Sequence, residues 1–241
     1  MICLSIGENC ATDKILQRFN IKSYATPYSF VRSNIFYALQ LENSKYDFLL
    51  DSKYLKKDPQ SFFPNFYRNY NFEQPEPELF DPSCANGFEF THHNVIDNPK
   101  DLESMKRKIA RLLELRNSSE DIVFFYHHRY TKNCKIEMII TYLNEFCDIY
   151  SNQNRNVTCV LLEQRQAKNP GERHVFINRH KNVISSYFYT NRMWVGRDKN
   201  VLFGKNDDDL IFKLFYHLAY EYNVLPHSVI IDKIKSNIEY K

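Results

Sequence analysis

Asp121-Ile122-Val123-Phe124-Phe125-Tyr126, running into His127-His128-Arg129, is the stretch that decides the fold. After its first residue it is apolar, as expected when helices cover both faces of a parallel sheet. Its length suits a strand and not a helix. Upstream, Leu102, Met105, Ile109, Leu112 and Leu113 recur at three and four, which predicts a helix with a basic outer face. Downstream, Ile136, Ile139, Ile140, Leu143, Phe146 and Cys147 predict another. Val157 to Leu162 reads as the next buried strand, ending at Glu163-Gln164. This alternation indicates a three-layer α/β domain, a mostly parallel sheet flanked by helices.

The N-terminus fits the same scheme. Ile2 to Ile6 is short, apolar and bounded by Gly7, which suits a buried strand. Gly7 is one of only five glycines, and its use here points to a close backbone approach. From Ala11 the period becomes helical through Ile15, Leu16 and Phe19, with Asn9 as N-cap. Cys10 then sits in the first helical turn, where unpaired N–H groups favour a thiolate. Asp13 opposes that.

Ser33 is expected to cap a helix reaching about Asn43. Residues 44–86 read as an irregular but ordered insertion, punctuated by Pro59, Pro64, Pro75, Pro77 and Pro82. Its many aromatics argue for packing on the core, so residues 1–241 form a single domain. Gly87 to Thr91 alternates like a strand and runs into His92-His93-Asn94. Further strands are expected at Val175–Asn178 and Asn182–Tyr189. Trp194 falls in a loop, Asp207-Asp208-Asp209 caps a helix, and Pro226 opens a short last one.

Bulk properties exclude several classes. A net charge of +3 gives no electrostatic case for nucleic acid or a membrane surface. No apolar run is long enough to span a bilayer, and no basic-then-apolar leader opens the chain, so a cytoplasmic location is the default. The six cysteines are scattered without a C-x-x-C spacing and read as free thiols. Walker A, Gly-x-Gly-x-x-Gly and Gly-x-Ser-x-Gly patterns are absent, and no cofactor is expected.

Ligands of open α/β sheets bind at the carboxyl ends of the strands. Four polar clusters fall at such ends: Gly7-Glu8-Asn9-Cys10, His92-His93-Asn94, His127-His128-Arg129 and Glu163-Gln164. If the strands run parallel, the clusters share one rim. Cys10 is then the candidate nucleophile and His92 or His93 its base, since a histidine can both ionise the thiol and protonate the leaving group. Asn94, Glu163 or another carboxylate would orient the histidine. Backbone N–H groups after Gly7 would form an oxyanion hole, and Glu8, Asn9, His127 and Arg129 would line the substrate. Zinc held by the thiolate and imidazoles ranks lower, because the spacing matches no structural zinc motif.

The segments Ser5-Ile6-Gly7-Glu8-Asn9-Cys10, Leu16-Gln17-Arg18-Phe19 and Pro27-Tyr28-Ser29-Phe30 carry a resemblance. They are similar to an uncharacterised microbial and viral family predicted to be papain-like cysteine peptidases. Its members open with a Ser-Leu-Gly-x-x-Cys strand and turn, then a Leu- and Arg-containing helix and a Pro-Phe-Asp-Trp segment. Phe90-Thr91-His92-His93 and Tyr126 to Arg129 fit later family features. The resemblance implies a cysteine hydrolase, with Cys10 preceding the histidine in chain order and Tyr28 and Ser29 at the substrate. Ser29 and Phe30 stand where the family more often has Asp and Trp. Family members often lie near surface-polysaccharide genes, so peptide, acyl and glycan substrates are all compatible. A transferase acting on glycans or nucleotide sugars, using Arg129 and the histidines, and a non-catalytic binding module are the alternatives.

Overall fold

A five-stranded sheet forms the centre of this computed structural model, which describes residues 1–57, 66–193 and 199–231. Its strands are β1 (Ile2–Ser5), β5 (Ile122–Arg129), β6 (Val157–Gln166), β8 (Val183–Thr190) and β7 (His174–His180), in the order β1-β5-β6-β8-β7. All neighbours run parallel except β7, which pairs antiparallel with β8 at the edge. The stretch from Ile122 to Tyr126 lies second in the sheet and is completely buried, as its composition requires. Burying each phenylalanine there contributes about 1.5–3 kcal/mol.

Successive side chains of a strand point to opposite faces, and the helices divide accordingly. On one face Val123, Phe125, Val160 and Leu162 pack against α1 (Cys10–Arg18) and α5 (Asp208–Tyr220). On the other, Leu4, Phe124, Tyr126 and Leu161 pack against α2 (Ile35–Asn43), α3 (Pro99–Leu115) and α4 (Ile136–Tyr150). This is the three-layer arrangement expected from the sequence. Asn9 caps α1 by accepting a hydrogen bond from the Ala11 N–H at 2.8 Å. α2 is capped by Asn34, one residue later than Ser33, through a bond from the Tyr37 N–H.

The chain between α2 and α3 contains strands of its own. β2 (Leu55–Lys57), β3 (Tyr67–Asn69) and β4 (Phe88–Phe90) make a separate antiparallel sheet. The alternation of β4 was legible, but its sheet was not. Phe88 and Phe90 bury on one side, and the buried Glu89 pairs with Arg32 at 2.7 Å and Arg68 at 2.7 Å. His92-His93-Asn94 therefore follows a strand of the small sheet and does not end one of the parallel strands. β7 and β8 lie close to their expected ranges, and Pro226 precedes a helical turn at 228–231. Trp194 lies outside the described residues.

Candidate functional site

Gly7 explains how the rim closes. A Cβ there would overlap Thr12 Oγ1 and come within 3.3 Å of the His127 backbone nitrogen. The turn from β1 into α1 is pressed against the end of β5, and only a glycine fits. Gly7→Ala should cost about 1–3 kcal/mol by overpacking, measurable by denaturant unfolding.

That approach sets Glu8 and Asn9 beside the histidine pair of β5, whose two rings point to opposite sheet faces. On the α1 side, His127 is buried; its Nδ1 lies 3.3 Å from Asn9 Nδ2 and its Nε2 lies 3.3 Å from Gln164 Oε1. Asn9 spends its oxygen on the helix cap, so its amide donates to Nδ1 and the ring carries its proton on Nε2. Burial pushes this imidazole down to about 4, so it is neutral at physiological pH. His127 lines a small, mostly apolar cleft with Ala11, Ile15, Gln164, Phe188 and Asp207.

On the other face His128 makes a different set of contacts. Its Nδ1–H donates to Glu8 Oε1 at 2.7 Å, and its Nε2 lies 3.2 Å from the sulfur of Cys134. Glu8 has no exposed surface, and its carboxylate also accepts from the Tyr126 hydroxyl at 2.8 Å and the Arg129 N–H at 3.0 Å. Burial alone would raise this carboxyl, but the charge of His128 and these bonds hold it below its ordinary value. Burial likewise disfavours a charged imidazole, but Glu8 overcomes it and lifts His128 to about 10. The pair is therefore carboxylate and imidazolium at neutral pH. Cys134 is half-buried, donates to the Leu79 carbonyl at 3.4 Å, and sits two residues before α4. Carboxylate, imidazolium and thiol thus lie in one hydrogen-bonded line.

Most of the other expected site residues stand apart from this line, with Ser29 and the His92-His93 pair gathered beside α1 through Asp13, Lys14 and Phe30. Cys10 is the first residue of α1, and its thiol takes no side-chain hydrogen bond from a described residue. Burial, then the nearby Asp13, pushes it up to about 11. His92 is exposed, with its ring 6.0 Å from that of Phe30. His93 Nε2 lies 3.3 Å from Lys108 Nζ. Tyr28 is buried, its hydroxyl 2.7 Å from that of Tyr46, so it belongs to the core and not to the rim. Ser29 is also buried and donates to Asp13 Oδ1 at 2.7 Å. Arg129 reaches Asp81 at 3.3 Å and Ser83 at 3.1 Å. The structure therefore brings Gly7, Glu8, Asn9, His127, His128 and Arg129 together, and adds Cys134. A signal for Cys134 was present: it is a thiol just before a helix and just past a parallel strand, the same context that singled out Cys10.

Residues 1–167 match the model of the family described as Putative papain-like cysteine peptidase (DUF1796). The chain belongs to this family. No curated protein and no solved structure matches it. The matched span contains Cys10, both histidine pairs and Cys134. Among the described residues no helix is long and apolar enough to cross a membrane.

The two buried histidines set opposite pH limits on stability. His128 is raised above its ordinary 6.5, so its contribution is complete below that value and is lost as pH rises through about 10. His127 is depressed, so its contribution is lost as pH falls from 6.5 towards 4. The thermal midpoint should peak near neutral pH and decline on both sides. His128→Gln should flatten the alkaline limb, and His127→Gln should make the acid limb shallower.

Proposed function

We propose that this chain is a cysteine-dependent acyl hydrolase or acyltransferase in which Cys134 is the nucleophile, His128 the acid and base, and Glu8 the group that orients it. One observation carries the reading: His128 bridges the Glu8 carboxylate at 2.7 Å and the Cys134 sulfur at 3.2 Å. A nucleophile, a base within reach of it and a third group fixing the base are the parts such chemistry needs. In the working state Nε2–H faces a thiolate. The sulfur attacks the carbonyl carbon, and Nε2 gives its proton to the leaving group as the carbonyl–leaving-group bond breaks. Water then adds to the thioester, losing its proton to Nε2, and the thiolate departs. With an amine or alcohol in place of water, the same step is acyl transfer. Among the described residues the start of α4, two residues after Cys134, has no side-chain cap, and its positive end supports the reading.

A second reading keeps Cys10 as nucleophile with His92 or His93 as base. Its support is the N-terminal motif and the place of Cys10 as first residue of α1. Acetylation by p-nitrophenyl acetate, with the modified peptide located by mass spectrometry, separates the two. The expected result is a transient acetyl group on Cys134. An acetyl group on Cys10 alone would transfer the role to it, and acetylation of neither thiol would remove the hydrolase reading.

A further inference from the structure

Beyond His128 along the same sheet face stands an arginine that the chemistry above leaves unused. In the parallel register His128 lies opposite Glu163, so both side chains project from one face. Arg165 is two residues further along β6 and therefore projects from that face too. Its guanidinium is held by four side chains. Nε donates to Glu163 Oε1 at 2.6 Å, Nη1 lies 3.4 Å from the Tyr189 hydroxyl, and the group sits 4.3 Å from the Tyr187 ring and 5.2 Å from the Tyr130 ring. Nη2 hydrogen-bonds to no described residue, and the side chain is 28% exposed. Glu163 is fully buried, and its second oxygen, Oε2, has no hydrogen-bond partner among the described residues.

A guanidinium immobilised by a buried carboxylate and flanked by two tyrosine rings has already lost most of its rotamer freedom. It then presents its remaining N–H donors at a fixed angle, the arrangement that best recognises a planar carboxylate. We infer that Arg165 is a substrate-recognition residue for acyl compounds carrying a carboxylate close to the bond that is cleaved, acidic peptides among them. Glu163 is its positioning residue. The inference rests on the assignment of Cys134 as nucleophile for its meaning, but the anion site can be tested separately.

The test uses the full chain and glutarate as the probe, with inorganic phosphate alongside it, followed by calorimetry. Glutarate should bind the wild type, at least tenfold more weakly to Arg165→Gln, and with intermediate affinity to Arg165→Lys, which keeps the charge but not the fork. Circular dichroism melts check that the variants fold. Equal affinity in wild type and Arg165→Gln, no binding to the wild type, or phosphate binding tighter than glutarate would overturn the carboxylate assignment. Glutarate should also slow iodoacetamide labelling of Cys134 in the wild type and not in Arg165→Gln. If glutarate binding depends on Arg165 while Cys134 proves inert, the anion site stands and the hydrolase assignment falls. If Cys134 is reactive but glutarate is indifferent to Arg165, the reverse holds.

Discussion

Cys134→Ala should abolish acyl turnover, by roughly a thousandfold or more, while leaving the fold intact. Removing the nucleophile from a thiol mechanism removes the covalent path entirely, and residual rate comes only from binding and oxyanion contacts. The structural cost is small because Cys134 is half-buried and lies in the loop before α4. The substitution deletes its hydrogen bonds to His128 and to the Leu79 carbonyl. Cys10→Ala should keep turnover, because nothing in the chemistry passes through a thiol raised to about 11. Hydrolysis of a chromogenic ester by the two variants, with unfolding curves beside it, reads both effects. Turnover surviving in Cys134→Ala and vanishing in Cys10→Ala would reverse the assignment.

Glu8→Gln is the second large effect, and it acts on stability first. Glu8 has no exposed surface and holds three donors: His128 Nδ1–H, the Tyr126 hydroxyl and the Arg129 N–H. Removing its charge leaves an imidazole buried without a counter-ion. Breaking such a buried pair costs about 3–5 kcal/mol. His128 must then become neutral, and its preference for the charged form is lost. Stability of Glu8→Gln should therefore no longer fall as pH rises towards 10, unlike that of the wild type. Chemical denaturation at pH 7 and at pH 9.5 tests both parts. A cost below about 1 kcal/mol would mean that Glu8 is an ordinary strand-end residue.

The sheet was legible because its signals are local. An unbroken apolar run from Ile122 to Tyr126 can satisfy itself only between two helical layers, and the threefold and fourfold spacings around it say where those layers come from. Asn9 at the head of α1 was readable for the same reason, since a cap is set by its own neighbours. The small sheet was not readable. β4 carries a strand pattern, but the choice between two sheets depends on Glu89 meeting Arg32 and Arg68, contacts made across long stretches of chain. The site divided in the same way. Gly7, Glu8, Asn9 and His127 were found together because each sits at a strand end. Tyr28 was placed at the substrate by resemblance, yet its hydroxyl is satisfied by Tyr46 inside the core. Cys134 and Glu8 are far apart in sequence, and only the register of β1 with β5 brings Glu8 to His128.

The central claim is that His128 couples Glu8 to a working thiol at Cys134. Its most direct test is the rate of iodoacetamide alkylation of each cysteine at pH 7, mapped by mass spectrometry in wild type and His128→Gln. Cys134 should react at least ten times faster than Cys10 in the wild type and lose at least tenfold in His128→Gln, with Cys10 unchanged. Equal rates for the two thiols, or a Cys134 rate indifferent to His128, would contradict it.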